Sequence, residues 1–208
     1  MLVSKSLDSA SAYCCEFLLH EGALHLLLAE EGPTLRTLNY SRQVAESRRG
    51  TILVPRASFH LGAHLTRLHR LVLPSAAARA TGGGGGSASG ERAAAQQQQQ
   101  RTALLWTSTD GSLGFVSPLE ESAFRRLDFL TTKMVTGLPH VCGLHPRAFR
   151  AMRVNARSSR ELRNMVDANL LGRYVELSAL EQQRLALQIG STPRKVLAAL
   201  EALGRGIP

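Results

Sequence analysis

Residues 74–101 constrain more than any other stretch what this chain can fold into. They read PSAAARATGGGGGSASGERAAAQQQQQR, a glycine and serine tract followed by alanine and glutamine. Such a composition has almost nothing apolar to bury and behaves as a flexible coil. We therefore predict a disordered low-complexity insertion at 74–101, so the packed structure of this 208-residue chain has to come from the segments on either side.

The segment before the insertion, residues 1–73, reads as a series of short strands. The strand-like runs are 12–19, 23–30, 34–40, two short strands around Pro55 within 50–62, and 63–73. Short apolar runs separated by turn signals are typical of a β-sandwich, barrel or propeller. The sequence therefore predicts an antiparallel β structure over residues 1–73.

Strand structure resumes after the insertion as a hairpin. Two strand-like runs within 102–118 flank Asp110 and Gly111, the preferred pair of a two-residue type I′ turn. The insertion is thus expected to lie inside a β unit. Strands of this number make about one and a half blades of a propeller, so we interpret the chain as the C-terminal piece of something larger.

Residues 119–208 change to a helical period and predict a small helical domain. Ser117 and Glu120 form a capping-box pattern with Pro118 as first helical residue. Ser178 and Glu181 repeat the pattern later in the chain. The predicted helices run over about 118–136, 146–154, 159–174, 178–189 and 192–204. The expected fold class is therefore β followed by α.

Arginines give the strongest signal for binding. The formal net charge is +9, and only Lys5, Lys133 and Lys195 are lysines. After Pro146 a basic run places an arginine at every third or fourth position, and the residues that we select as candidate nucleic-acid or partner contacts are Arg147, Arg150, Arg153, Arg160 and Arg163. Arginine suits phosphate and carboxylate partners. The pattern leaves open an RNA backbone, an acidic protein surface and an ordinary solvated helix face.

Two groups of histidines could bind a metal or catalyse a reaction. His140, Cys142 and His145 lie in one loop, but zinc usually takes four ligands and no second pair lies nearby in sequence. Strand alternation places His60 and His64 on one face if no bulge intervenes, although Gly62 favours one, and no carboxylate lies beside them. We predict a turn between helices and structural histidines, with no metal site.

No sequence motif points to an enzyme. The chain has no nucleophile elbow, phosphate loop or zinc-protease signature, so we predict no catalytic residue and no cofactor. The three cysteines form no disulfide framework and favour a reducing compartment. No apolar run reaches the length of a membrane span, so no membrane association is expected.

Several sequence blocks, in order, resemble a known family. ALLWTSTDGSLGFVSPLEESAFRRL, LPHVCGLHPRAFR and NMVDANLLGRYVELSALEQQRLALQIGSTPRKVLAAL are similar to the C-terminal region of the large A subunit of the cleavage and polyadenylation specificity factor. EFLLHEGALHLLLAEEGPTLRTLNY and RASFHLGAHLTRLHRL resemble the propeller strands that precede it. The similarity covers nearly the whole chain except 74–101.

This resemblance implies a nuclear scaffold without catalytic activity, built from three β-propellers and a helical domain. It implies assembly with a WD-repeat subunit and a zinc-finger subunit around the polyadenylation signal of pre-mRNA, which the chain contacts directly or through those partners. No metal is implied in this region. Arg147, Arg150 and Arg163 match family positions, whereas Arg153, Arg157 and Arg160 have no such support.

Alternatives to the polyadenylation scaffold stay open. Two paralogous groups share the architecture, namely the large damaged-DNA-binding subunit and a large subunit of the splicing factor that accompanies the U2 particle. A direct RNA-binding module that uses the arginines from Arg147 to Arg163 is a further alternative.

Overall fold

Two antiparallel sheets precede a group of helices along the chain. A computed structural model describes residues 4–7, 11–20, 22–73, 101–150 and 164–204. The strands are β1 (Ala12–His20), β2 (Ala23–Glu30), β3 (Thr34–Tyr40), β4 (Val54–His60), β5 (Leu65–Leu73), β6 (Arg101–Ser108) and β7 (Leu113–Val116). The helices are α1 (Glu121–Gly137), α2 (Pro146–Arg150), α3 (Ala168–Glu176), α4 (Ala179–Gln188) and α5 (Pro193–Gly204). The predicted order of β followed by α is confirmed.

Strands that follow one another in sequence are neighbours in both sheets. The first sheet has the order β1-β2-β3-β4 and the second β5-β6-β7. Strands β5 and β6 pair across the predicted insertion, with Leu73 opposite Arg101. Residues 74–100 lie outside the described residues, and Arg101 belongs to β6.

One apolar core joins the two sheets. Its fully buried members are Leu18, Leu27, Ala29 and Leu35 from the first sheet and Leu65, Leu68 and Leu104 from the second. Each buried leucine contributes about 1.5–3 kcal/mol relative to an exposed one. The two sheets therefore stabilise each other. The 27 residues between β5 and β6 lie within the second sheet in sequence and do not separate the two sheets.

The prediction of two strands around Pro55 is wrong. Residues 45–51 form a short 3-10 helix followed by a tight turn, and a single strand, β4, begins at Val54. Pro55 lies opposite Leu38, where the register of β3 and β4 shifts. A proline has no N–H for the ladder and is tolerated at such an irregularity.

The hairpin after the insertion is confirmed, but its type I′ turn is not. Residues 109–112 make a four-residue loop between β6 and β7. Of the two central residues, Gly111 alone has a positive φ, at 82°, whereas a type I′ turn needs two. Asp110 instead accepts hydrogen bonds from the Ser108 hydroxyl and from the Ser112 amide, which hold the longer loop.

Helix α1 begins at Glu121, so the predicted start at Pro118 is wrong. The Ser117 hydroxyl reaches the carbonyl of Pro118 at 3.5 Å and caps no amide. Leu119 packs against the helical core. The chain therefore stays non-helical through 117–120, where Leu119 reaches the core.

The later helix starts are partly as predicted. Ser178 and Glu181 form the complete capping box of α4, and α5 spans Pro193–Gly204. The predicted third helix is wrong over 164–167, because Asp167 is an extended N-cap and α3 starts after it. The predicted helical residues 151–154 and 159–163 lie outside the described part of the chain.

The helices share a second apolar core. It is built from Leu127, Leu130, Met134, Leu171, Tyr174, Leu185, Ala186 and Val196. The Tyr174 hydroxyl donates to the carbonyl of Gln182 at 2.8 Å, and the Gln182 amide returns a bond to the carbonyl of Tyr174 at 3.1 Å. This exchange fixes the corner between α3 and α4. None of the described helices is long and apolar enough to span a membrane.

Candidate functional site

Arg150, at the end of α2, is bonded to the first sheet and to the start of α3. Its Nη1 donates to the backbone carbonyls of His60 and Leu61 at 3.1 and 3.2 Å. Its Nε donates to Oδ2 of Asp167 at 2.7 Å. The guanidinium also stacks over the ring of Phe59, 4.8 Å from the centroid. One side chain thus fastens the helices to the end of β4.

Asp167 performs two structural tasks at once. Its Oδ1 accepts from the backbone amides of Asn169 and Leu170, at 3.0 and 3.4 Å, and so caps α3. Its Oδ2 accepts the Arg150 bond, and the two side chains are only 14% and 25% exposed. A charge-assisted hydrogen bond in such a half-buried site contributes about 1.5–3 kcal/mol. The cap of α3 and the attachment of α2 to the sheet are therefore linked.

Arg147, three residues earlier, points to a different partner. Its Nη1 donates to the hydroxyl of Thr132 at 2.7 Å, and its Nη2 donates to Oδ1 of Asp128 at 3.2 Å. Both partners lie on α1. Arg147 therefore ties α2 to α1, while Arg150 ties it to the sheet and to α3. We call this group of contacts, formed by Arg147, Arg150, Asp128, Asp167 and the end of β4, the arginine junction.

Apolar contacts complete the arginine junction. Phe149 packs edge-on against His60, with ring centroids 5.2 Å apart. Gly62 makes room for it: a Cβ there would lie 2.9 Å from Cζ of Phe149, and φ of Gly62 is 85°. His60 is 2% exposed. Burial is the main cause that lowers its pKa, and the nearby charge of Arg150 acts in the same direction. A backbone hydrogen bond with Gly32 partly opposes them by raising the pKa. The lowered pKa favours the neutral form of His60 inside the junction.

A small cleft lies within the arginine junction. It has a volume of about 40 Å³ and is lined by Ser58, Phe59, Asp128, Thr131, Pro146, Arg147, Arg150, Met165, Asp167 and Leu170. A water molecule needs about 10–15 Å³ by the same measure, so the cleft admits a few waters. The geometry suits attachment of one part of the protein to another.

The structure describes two of the five candidate arginines. Arg147 and Arg150 are brought together on α2 and both bind groups of the same chain. Arg153, Arg160 and Arg163 lie outside the described residues, so their role stays a prediction. The sequence reasoning missed Asp128 and Asp167 as their partners. Asp167 carried a usable signal, because it immediately precedes the helical run ANLLGRYVE.

The histidine and cysteine loop is a turn before α2. Nδ1 of His145 accepts from the backbone amide of Ala148 at 3.1 Å, and the rings of His140 and His145 lie 5.2 Å apart. Cys142 is exposed, with φ at 54°. Over the residues that the structure describes, no group of three or more His, Cys, Asp or Glu side chains is placed to hold a metal.

His60 and His64 do not share a strand face, because the strand breaks at Gly62. His60 ends β4 and is buried. His64 is exposed, precedes β5, and packs edge-on against Tyr13 at 6.1 Å. The left-handed backbone at Gly62, where a Cβ would also meet Phe149, separates the two histidines.

Fold and junction together define a class of protein segment: two β-sheets and a helical group that the partly buried Arg150 attaches to the first sheet. The chain matches the model of the family described as the CPSF A subunit region over residues 1–176. This protein belongs to that family.

Curated relatives agree with the family match. The chain is 35% identical over 206 residues to cleavage and polyadenylation specificity factor subunit 1 of Arabidopsis thaliana. It is 33% identical over 207 residues to the probable subunit 1 of that factor in rice, Oryza sativa subsp. japonica. It is 29% identical over 206 residues to protein CFT1 of Coccidioides immitis. Each match covers 99% of this chain but only 13–14% of the relative, so the chain spans about one seventh of their length.

Proposed function

We propose that this chain is a scaffold segment of the machinery that cleaves and polyadenylates the 3′ ends of pre-mRNA. The observation that carries the proposal is the match of 99% of the chain to plant proteins named as subunit 1 of the cleavage and polyadenylation specificity factor. These names also favour polyadenylation over the splicing and DNA-damage paralogues. A nuclear location follows from this role.

The arginine junction supports a scaffold in preference to an enzyme. Its charged groups bind each other, and its cleft holds about 40 Å³. We assign Arg147 and Arg150 the task of fixing the orientation of the helices on the sheet. That orientation presents the helical surface to the WD-repeat and zinc-finger subunits, and Arg153, Arg160 and Arg163 are proposed contacts to them or to pre-mRNA.

The two sheets are proposed to be consecutive blades of a β-propeller. Sequential strand order in a four-stranded and a three-stranded sheet supports this assignment. The outer face of β1 adds support, because Tyr13, Phe17 and Leu19 are each at least 50% exposed there. Apolar side chains in such a row are typical of a face that another sheet covers.

Co-purification tests the scaffold proposal. The tagged 208-residue chain is expressed in nuclei and isolated, and the bound proteins are identified by mass spectrometry. We expect the WD-repeat and zinc-finger polyadenylation subunits to be recovered, and we expect Arg150→Ala to reduce their recovery. A matched control, Arg125→Ala, removes an exposed arginine of α1 and should leave recovery unchanged. Recovery of splicing or DNA-damage assemblies in place of these subunits would contradict the proposal.

A further inference from the structure

The loop between β3 and β4 collects positive charge far from the arginine junction in sequence. Arg42, Arg48 and Arg49 are exposed in this loop. Lys5, also exposed, lies beside it, since its backbone N–H donates to Thr51 at 3.0 Å. Glu46 is the one carboxylate between positions 40 and 54. We call the four cations, Lys5, Arg42, Arg48 and Arg49, the basic loop surface.

Buried hydrogen bonds hold the basic loop surface in shape. Ser47 is fully buried, and its hydroxyl donates to the carbonyl of Val44 at 2.6 Å. The same hydroxyl accepts from the amide of Gly50 at 3.2 Å, and the Ser47 carbonyl accepts from Ile52 at 3.0 Å. The arginines therefore project from a preformed turn. A preformed site loses less conformational entropy when a ligand binds.

Arg42 is packed over Gly50, the residue that follows the two arginines of the turn. Its Nε donates to the Tyr40 hydroxyl at 2.9 Å. A Cβ on Gly50 would lie 3.1 Å from Cγ of Arg42 and 3.2 Å from the Tyr40 ring, so both side chains cover this glycine. Gly50 follows Arg49 directly, so Arg42 lies next to the turn that carries Arg48 and Arg49.

The fold alone does not explain arginine at positions 48 and 49. Both residues are left-handed, with φ of 47° and 62°. Asparagine and glycine adopt this conformation more readily than arginine does. Within the described part of the chain neither guanidinium has a hydrogen bond or ion pair, so neither stabilises the turn by contact. Strained residues of this kind cluster at functional sites.

The surroundings select the chemistry of the partner. Between residues 40 and 54 no large apolar side chain of the described chain is exposed. A specific protein interface normally has an apolar centre, whereas binding to a nucleic-acid backbone depends on cations that neutralise phosphates. Arginine adds bidentate bonds to phosphate oxygens.

We propose that the basic loop surface binds the phosphodiester backbone of RNA, independently of base sequence. The choice of RNA rests on the proposed function, which supplies pre-mRNA as the polyanion. The surface lies on the sheets and is separate from the arginines after Pro146. It gives the chain its own contact with RNA, in addition to any contact made through partner subunits.

Fluorescence anisotropy with a mixed-sequence, single-stranded RNA 20-mer and the 208-residue chain tests the proposal. For four phosphate contacts the slope of log affinity against log salt should be about −2.8, or about 50-fold weaker binding at 200 mM than at 50 mM salt. Arg48→Asn with Arg49→Asn should remove about half of that slope and weaken binding about 25-fold at 0.1 M salt. Asparagine tolerates the left-handed backbone, so an unchanged melting curve confirms that the variant is folded.

Arg125→Gln with Arg126→Gln is the matched control, because it removes the same charge from exposed positions of α1. Its RNA affinity should stay within about twofold of the unmodified chain if local geometry, not net charge, decides binding. The proposal is overturned by equal losses in both variants, by no loss in the Asn variant, or by equally tight binding of a poly-glutamate peptide. If the unmodified chain fails to bind this RNA but still co-purifies with polyadenylation subunits, this inference is wrong and the proposed function stands.

Discussion

The guanidinium of Arg150 donates to Asp167 at 2.7 Å while the same carboxylate caps α3 through the amide of Asn169 at 3.0 Å. Arg150 also holds the carbonyls of His60 and Leu61, about 90 residues earlier in the chain. Two side chains therefore connect a sheet, a short helix and the start of the helical core. The stability and the orientation of the helices depend on the same carboxylate.

Asp167 should be more sensitive to alanine than to asparagine. Asp167→Asn keeps a capping oxygen but loses the charge that faces Arg150, so we expect the free energy of unfolding to fall by about 1–2 kcal/mol. Asp167→Ala loses the cap as well and should lower it by about 2–4 kcal/mol. Urea unfolding measures both. Equal effects of the two substitutions would show that the cap and the arginine bond are not separate contributions.

Arg150 and Asp167 should be energetically coupled. A double-mutant cycle with Arg150→Ala and Asp167→Asn should give a coupling of about 1–2 kcal/mol, since each group loses its charged partner when the other is replaced. Arg150→Lys should not restore stability, because an ammonium cannot bond two carbonyls and the carboxylate while it stacks on Phe59. Additive effects, measured by the same unfolding assay, would contradict the contact.

Gly62 should tolerate a methyl group less well than Gly111. Both have a left-handed backbone, with φ of 85° and 82°, but only at Gly62 does an added Cβ meet another atom, Cζ of Phe149 at 2.9 Å. Gly111→Ala should lower the free energy of unfolding by about 1 kcal/mol through backbone strain alone. Gly62→Ala should lower it by about 2–3 kcal/mol, because the packing of Phe149 is lost too. Adding Phe149→Leu should recover part of the difference.

The chain should become less stable as pH falls below neutrality. Burial lowers the pKa of His60 from its ordinary value of 6.5, so the unfolded chain binds the proton more tightly. The stabilisation is complete above about pH 6.5 and decreases as pH falls through that value toward the lower folded pKa. His25, whose pKa is lowered mainly by burial, contributes with the same sign.

Urea unfolding midpoints, determined at several pH values between 5 and 8, measure this loss of stability. His60→Gln should flatten part of the curve, and His25→Gln should flatten another part. A His60→Gln protein that keeps the whole slope of the unmodified chain would contradict the neutral, buried state of His60.

Local chemistry was readable from the sequence. The capping box at Ser178 was predicted correctly, because its signal lies within four residues. Strands β1, β2 and β3 were also placed correctly, because their apolar runs are interrupted by turn residues. In each case neighbours along the chain contain the whole signal.

Long-range contacts were not readable in the same way. Helix α1 starts later than predicted because Leu119 packs against the helical core. In the described chain only one strand forms near Pro55, because Arg48 and Arg49 form a left-handed turn before it. The spacing of Arg147 and Arg150 indicated a surface stripe. Their partners Asp128 and Asp167 lie on other elements, which no spacing rule identifies.

Mapping of transcript 3′ ends tests the central claim most directly. Two cell lines are compared, each with substitutions in the chromosomal gene for this protein. One carries Arg150→Ala together with Asp167→Ala, and the other carries the control Arg125→Ala at an exposed position. The scaffold function predicts increased read-through past polyadenylation signals in the junction variant and normal 3′ ends in the control. Normal 3′ ends in both strains, with the junction variant present at reduced stability, would contradict a role for this chain in 3′-end processing.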